Sequence, residues 1–245
     1  MSRYVVGDIH GCGKALRTLI QTLELTRDDE IIFLGDYIDR GPDSRDVIEQ
    51  LIELRQRCRM IALRGNHEIM LLGVVLGGCD PGKWLRGGGA ATVTSYGGAV
   101  KKVPPSHLDF FRSLEPYHET DTEIFVHAMY DPNVPMAQQA EELLYWTHLP
   151  RILPTAHQSG KRMFVGHTPQ PNGDVLFHPH LVCMDTYCFG GGYLSCLCLN
   201  NDSIIQVDKH GHIKRTPIKQ IIESSRSVAR STWATLHRFL GSFTP

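Results

Sequence analysis

Five short stretches carry side chains that could meet at one chemical centre. "GDIHG" sets Asp8 and His10 two apart between glycines, and "GDYIDRG" brings Asp36, Asp39 and Arg40. "RGNHE" brings Asn66 and His67, while "EIFVH" and "RMFVGHT" run into His127 and His167. Each follows a short apolar run of the kind that forms a buried strand. At a strand end, residues i and i+2 point the same way, so Asp8 and His10 are expected to offer an oxygen and a nitrogen to one point. The flanking glycines let the backbone turn sharply and a ligand come close. One isolated histidine would say little. Five strand ends delivering Asp, His, Asn or Arg point to the carboxyl edge of an open α/β sheet, where ligands bind. A mixture of carboxylate, imidazole and amide suits hard-to-borderline divalent metals such as Mn, Fe or Zn, and not an all-thiolate site. Six such donors are too many for one ion with an open position; they suit two ions roughly 3.5–4 Å apart, bridged by one carboxylate.

"GCGK" invites comparison with a nucleotide-binding loop. A Walker A motif needs Gly five places before its second Gly and Ser or Thr after the Lys, where this chain has Asp8 and Ala15. It therefore fails twice.

The elements that must position these residues alternate at first. "RYVV", "EIIFL" and "RMIALR" read as strands. Between them, "KALRTLIQTLEL" and "SRDVIEQLIELRQR" place apolar residues at helical spacing: Leu16, Leu19, Ile20 and Leu23, then Val47, Ile48, Leu51 and Ile52. This order predicts a mainly parallel sheet with helices outside. From about Gly73 to Pro105 the chain is glycine-rich and is expected to be an irregular, functional loop. A helical stretch is expected near "MAQQAEELLYW". After Asp174 strand follows strand: "DVLFH", "LVCMD", "YLSCLCL" and "SIIQVD". The fold class is α/β, β-rich in its second half, and arranged as two packed sheets.

The chain has 245 residues, is 42% hydrophobic and 21% charged, and carries a formal net charge of -1. Such a chain can bury a core, and its charge does not indicate a nucleic-acid partner. It shows no apolar run of the roughly 18 residues a membrane span needs and no signal-peptide pattern, so the cytoplasm is expected. Seven cysteines argue against a disulfide framework. Cys196 and Cys198 read as part of a buried strand. Residues 1–208 are expected to form the catalytic domain. Residues 209–245 form a basic extension with seven Lys or Arg against Glu223. In it Trp233, Leu236, Leu240 and Phe243 fall at helical spacing, as in a helix docked on its own domain or one that meets a membrane or a partner.

"GDIHG", "GDYIDRG", "RGNHE", a strand-end His and "GHT", in this order, closely resemble the metal-dependent phosphoprotein phosphatases of the calcineurin-like metallophosphoesterase superfamily. The resemblance covers about Tyr4 to Leu199 and is nearest to the short bacterial and phage members. It implies a four-layer α/β/β/α sandwich with a dinuclear metal site at the strand C-terminal ends. Carried over by motif, Asp8 and His10 bind the first metal and Asp36 bridges. Asn66, His127 and His167 bind the second. His67 is the general acid, oriented by Asp39, and Arg40, together with Asn66, binds the substrate phosphate. Manganese is the expected metal in vitro, with iron or zinc as alternatives. The chemistry suits these roles. A metal-bridging hydroxide attacks phosphorus directly, positive charge offsets the phosphate dianion, and the leaving alkoxide takes a proton from His67.

The chain departs from the family pattern in two places. Ala128-Met129 follow the fourth strand's His, where the family often has Gly-Gly or Ala-Gly. His148 stands where short members often carry a second phosphate-binding Arg, a role left open for Arg86 or Arg151. The leading expectation is a serine/threonine protein phosphatase acting on phosphoproteins or phosphopeptides. The alternative is a dinucleoside polyphosphate hydrolase, for which "KWLRGGGAATVTSYGG" could shape the nucleotide pocket. A scaffold that only binds is the third reading, disfavoured because every catalytic residue is in place.

Overall fold

A computed structural model describes residues 1–201 and 203–217. The chain opens with β1 (Arg3–Val6), α1 (Gly13–Leu23), β2 (Glu30–Phe33), α2 (Ser44–Leu54) and β3 (Arg59–Ala62). Next come α3 (Asn66–Val75), α4 (Pro81–Trp84), α5 (Ala90–Ser95) and α6 (Pro105–Arg112). Then follow β4 (Tyr117–Glu119), β5 (Glu123–Val126), α7 (Glu141–Tyr145), β6 (Arg162–Val165), β7 (Leu176–His178) and β8 (Leu181–Cys183). The last three strands are β9 (Tyr193–Cys198), β10 (Ser203–Asp208) and β11 (Ile213–Pro217).

These strands make two mixed sheets. The first runs β11-β10-β9-β1-β2-β3, with β1, β2 and β3 parallel and the others antiparallel. The second runs β4-β5-β6-β8-β7, parallel in the middle with antiparallel edges. Period-two alternation divides each strand between two cores. Val6, Ile31 and Phe33 face α1 and α2, while Val5, Ile32 and Leu34 face the other sheet. On the second sheet Phe125 and Phe164 face inward, with rings stacked 5.1 Å apart. Their neighbours Ile124, Val126, Met163 and Val165 face Tyr130, Leu144 and Tyr145 on the far side. The result is helix, sheet, sheet, and a thin outer layer of loops and α7, as expected. At the end of the sheets away from the motif loops, Arg3 on β1 bonds Glu30 on β2 (3.0 Å) and Glu123 on β5 (3.1 Å), tying the sheets together.

Two expectations need correction. The stretch from Gly73 to Pro105 is not an irregular loop. It holds the end of α3, then α4, a π-helical turn at Leu85–Gly89, α5, and a short 3-10 turn at Val100–Lys102. Trp84 is the reason: its indole is 1% exposed and anchors the segment in the helix-side core. The strand-parity argument for Asp8 and His10 also fails. β1 ends at Val6, and His10 lies in a turn with φ 45°. The proposed helix around Trp233 lies outside the described residues. β11, beyond Asp208, extends the first sheet by pairing with β10.

Candidate active site

The loops after β1 and β2, the start of α3, and the residues after β5 and β6 converge beside the carboxyl ends of both sheets. Five of the converging residues hold left-handed backbone: His10, Asp36, Asp39, Arg40 and His167, with φ between 45° and 72°. Such conformations cost on the order of 1 kcal/mol or more each outside glycine, and concentrate where side chains must be aimed. Close approach explains one glycine directly. A Cβ on Gly65 would meet Asp36 Oδ1, so only glycine lets α3 start against that carboxylate.

Asp36 is 2% exposed and sits at the centre. Its Oδ1 lies 3.4 Å from His127 Nε2 and its Oδ2 lies 3.5 Å from His10 Nε2. Backbone carbonyls hold both rings: His10 Nδ1–H donates to Ile38 O (3.0 Å) and His127 Nδ1–H donates to Leu34 O (2.8 Å). A carbonyl can only accept, so each Nδ1 carries the proton and each Nε2 offers a lone pair inward. His167 is held the other way, its Nε2–H donating to Trp146 O (3.2 Å), which leaves Nδ1 free. Asn66 Oδ1 stands 3.1 Å from His127 Nε2, so two acceptors face each other. Two groups of potential ligands share Asp36: His10, Asp36 and His67, and Asp36, His127 and His167.

Asp8 is buried, and both of its oxygens face the His167 N–H (3.2 and 3.1 Å). It stands apart from the two tight groups. Burial pushes its carboxyl well above the usual range, and the charges of Asp185 and Asp36 push it further. Asp185 was missed by the sequence reading. It follows β8, is 1% exposed, accepts from Tyr187 N–H through Oδ1, and has no partner at Oδ2 among the described residues. Burial raises it to about 7. The signal was available, because "LVCMD" is another apolar run ending in a carboxylate. Three buried carboxylates, inward lone pairs on two imidazoles and an orphaned oxygen fit divalent cations.

His67 is aimed by Asp39. Its Nδ1–H donates to Asp39 Oδ2 at 2.6 Å, and its Nε2 lies 3.9 Å from Asp36 Oδ2. Burial works against the imidazolium, but the charge of Asp36 and then the bond and charge of Asp39 outweigh it, so the ring titrates above its ordinary value. Asp39 is fully buried and gathers further donors: Trp84 Nε1–H to Oδ2 (2.7 Å) and Thr92 Oγ1–H to Oδ1 (2.6 Å). Ser44 Oγ and Thr92 Oγ1 accept from its backbone N–H. Trp84 and Thr92 come from the segment expected to be a loop, so that segment is the frame behind Asp39 and, through it, His67. Its Gly88 carbonyl also accepts from Arg40 N–H (3.1 Å), with the glycine at φ 125° and no room for a Cβ beside Arg40.

Arg40 is exposed. Its guanidinium lies 4.7 Å over the Phe189 ring and 3.1 Å from His10 Nε2. Glu68 is a structural residue. Its carboxyl accepts from the backbone N–H groups of Gly65, Asp36 and Tyr37 and is pushed up to about 8, chiefly by burial. Arg64 reaches Leu114 O (3.0 Å). His148 stacks on His167 at 4.4 Å, and the backbone N–H groups of Ala128 and Met129 pair with Leu144 O and Leu143 O. All seven cysteines are unpaired thiols, and Cys12 is buried. No described helix is long and apolar enough to cross a membrane.

The sequence profile of the calcineurin-like phosphoesterases matches residues 1–213. A symmetrical bis(5'-nucleosyl)-tetraphosphatase of Photorhabdus laumondii is 41% identical over 78 residues, 31% of this chain and 28% of that protein. Among solved structures, one provisionally described as a diadenosine tetraphosphatase aligns with TM-score 0.64 at 21% identity, covering 84% of this chain and 92% of the other. A protein serine/threonine phosphatase from Saccharomyces cerevisiae aligns with TM-score 0.58 at 16% identity, covering 88% of this chain and 79% of the other. At these identities the structural matches speak for the fold alone. The profile match spans most of the chain and takes in every residue of the converging site, with divalent metal ions implied by that membership: the chain is a calcineurin-like phosphoesterase.

Proposed function

We propose that this protein hydrolyses dinucleoside polyphosphates such as diadenosine tetraphosphate, releasing nucleoside diphosphates. The observation that carries this reading is the 41% identity, over a 78-residue stretch, with a symmetrical bis(5'-nucleosyl)-tetraphosphatase. It displaces the leading expectation of a serine/threonine protein phosphatase, which stays as the second reading. The exposed Arg40 favours that second reading, since its planar fork suits a phosphomonoester dianion.

The proposed metal ligands are Asp8, His10, Asp36, Asn66, His127 and His167, with Asp36 shared. Divalent ions there, manganese first in vitro, would offset phosphate charge and acidify water. Arg40 grips the non-reacting oxygens of the phosphate, helped by Asn66. Water adds to phosphorus as the bond to the leaving oxygen breaks. His67, held at Nδ1 by Asp39, gives that oxygen a proton from Nε2. The protein phosphatase reading asks more of this acid, because a serine alkoxide is far more basic than a nucleotide phosphate. The unpaired thiols support a reducing compartment, the cytoplasm, as the place of action.

The test is turnover with manganese of diadenosine tetraphosphate beside a phosphoserine peptide, with products separated by chromatography. ADP as the main product, and slower phosphate release from the peptide, is the expected result. Preferential peptide dephosphorylation would restore the protein phosphatase reading.

A further inference from the structure

Beside the metal-ligand cluster lies a pocket of about 440 Å³. Met70, Val74, Trp84 and Trp146 form its walls, and Asp80 and Lys83 stand at its rim. Three observations connect it to the phosphate site. Asn66, Met70 and Val74 fall four residues apart on α3, so one face of the helix runs from the proposed ligand Asn66 into the pocket over about 12 Å. That is the reach of a phosphate–ribose unit followed by a base. Trp146 also belongs to both places: its carbonyl holds His167 while its side chain lines the pocket. Trp84 turns its N–H to Asp39 while its ring closes the inner wall.

The lining says what fits. Trp146 is 37% exposed, although α7 and the residues after it otherwise pack Leu144 and Tyr145 inside. An indole left open beside a phosphate site is a stacking platform for a flat aromatic group. Lys83 and Asp80 supply a cation and a carboxylate at the rim, able to meet a phosphate or ring nitrogen and an exocyclic amine. A peptide's seryl or threonyl neighbourhood has no comparable need for an aromatic slot with both hydrogen-bond polarities.

We infer that this pocket binds the nucleobase of the substrate, with Trp146 stacking on the base, and that it selects a dinucleotide over a simple phosphomonoester. The inference rests on the dinucleotide reading of the site. Of the glycine-rich stretch expected to shape a nucleotide pocket, only Lys83 and Trp84 line this one, and the turn that follows frames Asp39 and Arg40 instead.

The experiment compares wild type, Trp146→Ala and Trp146→Phe, all loaded with manganese. It reads the ratio of kcat/KM for diadenosine tetraphosphate to that for p-nitrophenyl phosphate. Inhibition of p-nitrophenyl phosphate turnover by AMP and by ribose 5-phosphate is measured beside it. Trp146→Ala is expected to lower the ratio roughly 5- to 100-fold, the range for losing one base stack. It should also erase the advantage of AMP over ribose 5-phosphate, and Trp146→Phe should restore most of both. An unchanged ratio and unchanged inhibition in Trp146→Ala, with wild type cleaving the dinucleotide, overturns the pocket alone. Wild type that turns over p-nitrophenyl phosphate but not the dinucleotide overturns the function, and the pocket assignment falls with it.

Discussion

Replacing Asp39 with Asn removes the charge that aims His67 while keeping the shape. The carboxylate is fully buried and accepts from His67, Trp84 and Thr92. In the variant one amide oxygen can still serve His67 and Trp84. The amide N–H groups then face Thr92 Oγ1, a hydroxyl that can accept and already shares a contact with Ser44 Oγ at 2.9 Å. The fold should therefore hold, with a stability loss of about 1–3 kcal/mol from the weakened charged bonds. Catalysis should suffer according to the leaving group. General-acid help is worth ~10²–10⁴-fold, or about 3–5 kcal/mol of barrier, when the departing oxygen is strongly basic. It is worth about tenfold or less when the departing oxygen is already a stable anion. The assay is kcat/KM over a series of aryl and alkyl phosphates of rising leaving-group pKa, wild type against Asp39→Asn, with melting followed by circular dichroism. The expected result is a steeper dependence on leaving-group pKa in the variant. The pH profile gives a second readout. His67 titrates above its ordinary value, so its acid form persists to higher pH and activity on poor leaving groups falls as pH rises through that raised value. Without Asp39 the fall begins at lower pH. An equal loss across the whole series, with no change in the pH profile, would refute the role given to His67 and Asp39.

Three further outcomes follow from the same geometry. Phe164, fully buried and stacked on Phe125 between the sheets, should cost about 3–5 kcal/mol when cut to Ala, read as a lower urea midpoint; a loss under 1 kcal/mol would contradict the two-sheet core. Tyr96 O–H donates to His107 Nδ1 at 2.7 Å, and burial holds that imidazole below its ordinary 6.5, with Glu49 opposing and Arg45 adding to the effect. The unfolded chain then takes up the proton first, so this share of stability is present above pH 6.5 and is lost as pH falls below it. His107→Gln should flatten urea midpoints measured between pH 7.5 and 5.5 relative to wild type, and parallel curves would count against it. Burial lifts the carboxyls of Asp8 and Asp185, the latter to about 7, so protons would compete with a metal ion held there. Manganese affinity by calorimetry should weaken as pH drops from 8 to 6, and less steeply in Asp185→Asn. Affinity independent of pH would place those carboxylates outside the metal site.

Much of this protein is legible in its residues because the informative signals are local. Apolar runs of four or five residues specify β1, β2, β3, β5 and β6, and helical spacing specifies α1 and α2. The chemistry-bearing residues sit directly after those runs, so Asp8, His10, Asp36, Asn66, His127 and His167 can be collected before any geometry is known. Their meeting place, beside the strand ends, follows from the parallel order of the strands.

Tertiary structure decided the rest, because the deciding contacts join residues far apart in the chain. Trp84 and Thr92 reach Asp39 across 45 and 53 residues, and no periodicity in a glycine-rich segment announces that pairing. The same segment folds as short helices because a buried indole anchors it, which outweighs its poor local propensity. Asp8 and His10 reach the site from a turn with left-handed backbone rather than by strand alternation. Packing between the loops settles that conformation, and a two-residue spacing does not encode it. Asp185 joins the cluster only because β8 lies beside β6 in the second sheet, an adjacency set by pairing across the fold. Residue types and order thus determined which chemistry the chain can perform. Long-range packing decided which of those groups are buried, which are aimed, and which face one another.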